Sequence, residues 1–275
     1  MSRIAQTFTA LRERGRKAVI PYIVAGDPLA DITVDLMLSL VEAGADIIEL
    51  GVPFSDPMSE GPVIQRGHER ALEKGIRLRT VIETVAAFRE HNSTTPVLLM
   101  GYANPVEHMG HEAFADRAHA AGVDALLTVD VPPEEVAGLN TALRRVGMDN
   151  IFLIAPTTPA ARMDLIAAEA SGFIYYVSLK GVTGAANLDQ ASVAAQVSTI
   201  RSHSDLPVCV GFGIKDGPSA AAVAQVADGV VIGSALVQRL ADVAQEGGDS
   251  MAIRDAAAKL VGEIRQHVDG VAGSA

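Results

Sequence analysis

Apolar residues in this chain fall into short unbroken runs, separated by longer segments in which they recur every three or four positions. The runs predict strands buried on both faces, and the spaced segments predict amphipathic helices. Ile4, Phe8 and Leu11 mark a first helix that stops near Gly15. The run 18–24 (AVIPYIV) is a strand closed by the turn AGDP, and 31–43 is a helix with Ile32, Leu36, Leu40 and Val41 on one face. The strand 46–50 (DIIEL) follows, then a loop punctuated by Pro and Gly. Two helical pieces come next: 62–71, with Pro62 in its first turn, and 80–91, capped by Thr80 over Val81, Ile82, Val85 and Phe88. The alternation then repeats. Strands are predicted at 96–101, 123–129, 150–155, 173–179, 207–211 and 229–233. Helices are predicted at 112–121, 134–146, 159–170, 188–200, 218–226, 234–244 and 253–268.

Eight strands, each followed by helix, define an α/β chain. Continuous apolar strands joined by helical crossovers call for a parallel sheet. Eight such units in this length match a single (β/α)8 barrel with one extra helix at each end. The rival is an open doubly wound sheet, but AGDP stands where its glycine-rich fingerprint would follow the first strand. No linker interrupts the pattern, so residues 1–268 are expected to form one domain. The small, polar stretch 269–275 is expected to be a short flexible tail.

Composition narrows the function. The 275 residues are 49% hydrophobic, enough for a large core, with no apolar run long and uncharged enough to span a membrane. The N-terminus lacks the apolar stretch of a secretory signal. The single cysteine, Cys209, rules out an internal disulfide and fits a reducing, cytoplasmic setting. A net charge of −11 argues against nucleic acid and anionic membranes as partners. The seven histidines are scattered, so no metal site is expected.

In such a barrel, chemistry gathers at the carboxyl ends of the strands. Glu49 is an acid inside an apolar strand, which is costly unless the acid is paired or used. Burial raises the pKa of such a carboxyl toward the range of a general acid or base. Glu60, eleven positions on, lies on a loop able to fold back over the strand end and makes a candidate acid/base pair with Glu49. Asp56, on the same loop, is read as a helix cap or a partner contact. Asp130 is read as a cap for the helix after it or as a chemical group. The glycine-bearing stretches GVTGA (181–185), GFGI (211–214) and IGSAL (232–236) follow strands six, seven and eight. With a helix starting at Ser234, they form a candidate phosphate site of backbone amides.

IELGVPFSDPMSEGP resembles the α subunit of tryptophan synthase. So do AGDP before it and MGYANP, DVPPEE, SLKGVTG, GFGI and IGSAL after it, in order over residues 15–245 or so. The resemblance implies cleavage of indole-3-glycerol phosphate to indole and glyceraldehyde 3-phosphate, without a cofactor in this chain. It implies that Glu49 is the acid/base and that Glu60 holds the indole N–H. Tyr22, Met100, Leu127 and Tyr175 would line the indole pocket, and Gly184, Gly213, Gly233 and Ser234 would cradle the phosphate. The loops 53–60 and that of Thr183 would close over substrate. The partner implied is a pyridoxal-phosphate β subunit in an α2β2 assembly, touched by Asp56 and by residues near Asn104, Pro105, Pro132 and 156–159. The chain departs from the family in three places. Glu60 stands where an aspartate is usual, Tyr22 where phenylalanine is frequent, and Leu179–Lys180 where some members carry arginine. Other readings are a free-standing indole-releasing lyase, another phosphosugar enzyme, and a barrel that only binds and activates its partner. The strand ends lack the Lys or His of sugar isomerases and aldolases.

Overall fold

The computed structural model describes residues 2–177, 190–211 and 213–272. The strands are β1 (Ala18–Val24), β2 (Ile48–Gly51), β3 (Val97–Gly101), β4 (Ala125–Thr128), β5 (Asp149–Asn150), β6 (Phe152–Ile154), β7 (Ile174–Val177), β8 (Val208–Gly211) and β9 (Gly229–Ile232). All are parallel, in the order β5-β4-β3-β2-β1-β9-β8-β7-β6. β5 and β6 are halves of one stave. β5 pairs with β4 and β6 with β7, and the Ile151 N–H between them donates to Leu126 O at 2.9 Å. That single residue closes eight staves into a (β/α)8 barrel.

Alternation along each strand divides the core in two. Inside the barrel lie Ala18, Ile20, Ile47, Leu98, Ala125, Leu127, Ile151, Phe173, Cys209 and Val231. The opposite faces (Val19, Ile23, Ile48, Leu50, Leu99, Val210, Val230) pack against the helices. Helix α1 (Arg3–Glu13) plugs the amino-terminal end with Ile4, Phe8 and Leu11. Phe8 meets Phe173 with ring centroids 5.9 Å apart at 59°, a favourable tilted contact.

Around the barrel stand α2 (Thr33–Glu42), α3 (Pro62–Glu73), α4 (Leu78–Arg89), α5 (Ala103–Met109), α6 (His111–Ala120) and α7 (Ala137–Val146). They are followed by α8 (Ala160–Glu169), α9 (Gln190–Arg201), α10 (Gly217–Ala224), α11 (Ser234–Gln245) and α12 (Ser250–Ala272). Three aspartates stitch the amino-terminal rim. Asp46, Asp124 and Asp228 accept the N–H of Val19, Val97 and Val208 at 2.8–2.9 Å. Arg265, Arg89 and Arg201 respectively neutralise them.

Three expectations change, and α5 occupies a stretch to which the sequence pattern assigns no element. Thr80 does not cap α4, which begins at Leu78 after Arg77; Thr80 instead accepts the Thr84 hydroxyl. Asp130 caps α5, which follows the neighbouring strand β3, rather than the helix after Asp130: its Oδ1 accepts the Ala103 N–H at 2.8 Å. The tail expected from Asp269 is helical through Ala272. Asp269 continues α12 because it accepts two bonds from Arg16 at 2.9 Å and pairs with Arg265 one turn earlier.

Candidate active site

β1 and β2 lie side by side at the carboxyl-terminal mouth, with Tyr22 opposite Glu49 in register, and both residues point inward by strand parity. Glu49 is fully buried, and neither carboxyl oxygen has a hydrogen-bond partner among the described residues. Desolvation, reinforced by the charge of Glu60, raises its pKa from 4.5 to about 8. Glu60 sits half-buried at the end of the β2–α3 loop, and desolvation raises its pKa to about 7. Two carboxyls are thus held near neutrality, and the more buried keeps its proton at higher pH. This is the arrangement that suits proton transfer.

The loop that carries Glu60 is tied down on both sides. The Ser59 N–H donates to the Tyr102 hydroxyl at 3.1 Å, and the Tyr102 ring stacks on Phe54 with centroids 4.9 Å apart. Gln65 on α3 donates to Glu60 O at 2.9 Å. Asp56 is exposed at the loop tip and accepts the Ser55 hydroxyl at 2.6 Å, while its neighbour Met58 projects into solvent. The AGDP turn is anchored as well. Buried Asp27 takes a two-pronged bond from Arg70 of α3, at 2.7 and 2.9 Å.

The walls are apolar. Leu127 and half-exposed Met100 are opposed in register across β3 and β4, and Tyr175 joins them from β7. Two glycines make room for the rings. A Cβ on Gly51 would lie 2.8 Å from Tyr22 Cζ, and one on Gly211 would lie 2.7 Å from Tyr175 Cε1. Each tyrosine therefore leans across the end of the neighbouring strand because glycine ends that strand. Desolvation first, then the two glutamates, raises both phenol pKa values well above 10.

On the other flank of β1, the adjacent strands β9 and β8 deliver Gly233 and Gly213. Gly213 adopts φ +78°, which favours glycine. Gly233 precedes α11 without a side-chain cap, leaving the first amides of that twelve-residue helix, from Ser234 on, open to an anion. Gly184 and Thr183 lie outside the described residues. Sequence reading placed Tyr102 at a strand end without a role, and it passed over His68, which the fold also places at the mouth. Among the described residues, no cluster of three His, Cys, Asp or Glu is placed to hold a metal, and no helix is long and apolar enough to cross a membrane.

A barrel mouth with two near-neutral carboxyls, an aromatic slot and an uncapped helix start on the strand beside that of Tyr22 defines an acid/base enzyme for a phosphorylated, ring-bearing substrate. Residues 8–268 match the family model described as tryptophan synthase alpha chain. The chain is 60% identical over 269 residues to the tryptophan synthase alpha chain of Thioalkalivibrio sulfidiphilus, covering 98% of this chain and 100% of that one. It is 61% identical over 246 residues to that of Ralstonia nicotianae, covering 90% and 93%. The crystal structure of tryptophan synthase subunit alpha from Legionella pneumophila superposes with a TM-score of 0.92 at 43% identity, covering 98% and 99%. A tryptophan synthase structure from M. tuberculosis, in its aminoacrylate-bound form, superposes at 0.85 and 35%, covering 98% and 100%. The chain belongs to the tryptophan synthase alpha chain family.

Proposed function

We propose that this chain carries out the family's retro-aldol reaction with Glu49 as the proton shuttle. The observation that supports it is Glu49 itself: fully buried at the mouth, unpartnered, and protonated at neutral pH when the site is empty. Indole-3-glycerol phosphate binds with its ring between Tyr22, Met100, Leu127 and Tyr175. Its phosphate meets the amides of Gly184, Gly213, Gly233 and Ser234. Glu49 gives its proton to C3 of the indole, and the positive charge spreads to N1. The carboxylate of Glu60 faces N1–H and stabilises that charge. Glu49, now ionised, takes the proton of the C3′ hydroxyl. The C3–C3′ bond breaks, its electrons restore the neutral indole, and the aldehyde carbonyl forms. Glu49 ends protonated, ready for another turnover, and atoms and charge balance without a cofactor in this chain. Glutamate at position 60 keeps the charge of the usual aspartate and extends it by one methylene.

The partner is a pyridoxal-phosphate β chain in an α2β2 assembly, which takes up the released indole. Exposed Asp56 and Met58 at the loop tip, with Asn104 and Pro105 in the first turn of α5, offer its docking surface. The test is to incubate the purified chain with indole-3-glycerol phosphate and quantify indole and glyceraldehyde 3-phosphate. Equal amounts of the two are expected, and formation of neither contradicts the proposal.

A further inference from the structure

Tyr22 does not stand alone in the mouth. Its hydroxyl lies 3.2 Å from Nε2 of His68, a buried histidine on α3. The other ring nitrogen, Nδ1, lies 3.0 Å from the backbone nitrogen of Phe54, at the start of the β2–α3 loop. The tautomer follows from the partners. A backbone N–H can only donate, so Nδ1 accepts and the neutral ring carries its proton on Nε2. Burial keeps the ring neutral, lowering its pKa to about 4. Nε2–H therefore donates to Tyr22, and the Tyr22 oxygen uses that contact as an acceptor. Its own proton is left for a different acceptor. The groups whose charges act on that hydroxyl are Glu60 first, then Glu49, with Tyr102 and Tyr175 behind them. Of these, the two oxygens of Glu49 have no hydrogen-bond partner among the described residues.

We propose that His68 is a positioning residue of the reaction: it turns the Tyr22 hydroxyl so that its proton points into the mouth between Glu49 and Glu60. With its second nitrogen it holds the first residues of the β2–α3 loop to the same ring. The Tyr22 hydroxyl, which has no described hydrogen bond to either carboxyl, is then poised to donate to whichever becomes charged, first Glu60 facing N1, then Glu49 after it has released its proton. A phenylalanine at position 22 would need no such histidine, so residues 22 and 68 form one functional unit although 46 positions separate them.

This rests on the lyase reading, and the experiment separates the two. Indole release is followed against pH for wild type, Glu49→Gln, Tyr22→Phe, His68→Gln, His68→Asn and Tyr22→Phe/His68→Asn, with a thermal melt of each. Gln preserves a donor at the reach of Nε2; Asn preserves only the acceptor for Phe54. Losing the fixed donor should lower kcat about 5-fold in Tyr22→Phe and in His68→Asn, with KM within about twofold. The acidic limb of the pH profile should move to higher pH, because a carboxylate deprived of a donor holds its proton more tightly. His68→Gln should recover most of the rate, and the double variant should be no slower than either single one. The proposal is overturned if His68→Asn slows the Tyr22→Phe enzyme as much as it slows wild type. It is also overturned if His68→Asn lowers only the melting temperature while kcat and the pH profile stay at wild type. Indole release undiminished in Glu49→Gln would instead overturn the lyase reading beneath it.

Discussion

The cost of Glu49 is visible in its surroundings. The carboxyl has lost its water and has no hydrogen-bond partner among the described residues, so burial holds it protonated up to a pKa of about 8. The sign of the stability effect follows. Folding raises this pKa, so the native chain binds the proton more tightly than the unfolded one. The stabilisation is complete below about pH 4.5 and is lost as pH climbs through about 8. Glu49→Gln, uncharged throughout, should match wild type near pH 4 and exceed it near pH 9 by roughly 2–5 kcal/mol. Urea denaturation at both pH values checks this, and coincident midpoints near pH 9 would contradict the desolvated setting. Glu49 was legible in the sequence because an acid inside an apolar run has few bland explanations. His68 was not, because its role depends on Tyr22 and Phe54, which only the barrel brings to it. Asp130 was legible as a cap, but its target was not, since a strand-end acid can also reach the helix that starts at the end of the neighbouring strand.

At the level of elements, the strand-end glycines shape the mouth as much as the side chains do. Gly51→Ala places a methyl against the ring of Tyr22, which His68 holds from the other side, and Gly211→Ala does the same to Tyr175. Each substitution is expected to cost about 1–3 kcal/mol and to lower kcat/KM by tenfold or more, the larger loss arising from the displaced ring. Denaturant melts paired with indole-release kinetics would show it; wild-type kinetics in both variants would mean the tyrosines are free to move. In the sequence Gly51 reads as a strand exit and Gly211 as part of a phosphate loop, because the ring each one accommodates belongs to a neighbouring strand. α5 was hidden for a different reason: Pro105 looks like a breaker, yet it falls in the first turn, where its missing N–H costs nothing. The β2–α3 loop gave its acids and its boundaries to sequence reading. Its anchors, Tyr102 and Gln65, became visible only in three dimensions.

Over the whole molecule, acids divide by the end of the barrel they occupy. Asp46, Asp124 and Asp228 at the amino-terminal rim accept strand N–H groups beside arginines, and they serve stability. Glu49 and Glu60 at the carboxyl-terminal mouth face neither arginine nor backbone donor among the described contacts, which leaves them for chemistry. The eight-fold alternation made the barrel legible from apolar pattern alone. The splitting of the fifth stave at Ile151 was not, because its cause is a change of neighbour rather than a change of residue type. The same polarity puts the loop tip with Asp56 and Met58 at the mouth, where a second chain would cover the site. Adding a β chain and serine should therefore raise the rate of indole-3-glycerol phosphate cleavage several-fold as that loop is held closed. An unchanged rate would favour the free-standing enzyme.

The most direct measurement is single-turnover indole release from indole-3-glycerol phosphate by Glu49→Gln beside wild type. Gln fills the same space without a proton to give or take. Release is expected to fall by about 10²–10⁴-fold while substrate still binds. A Glu49→Gln enzyme that releases indole at the wild-type rate would contradict Glu49 as the proton shuttle.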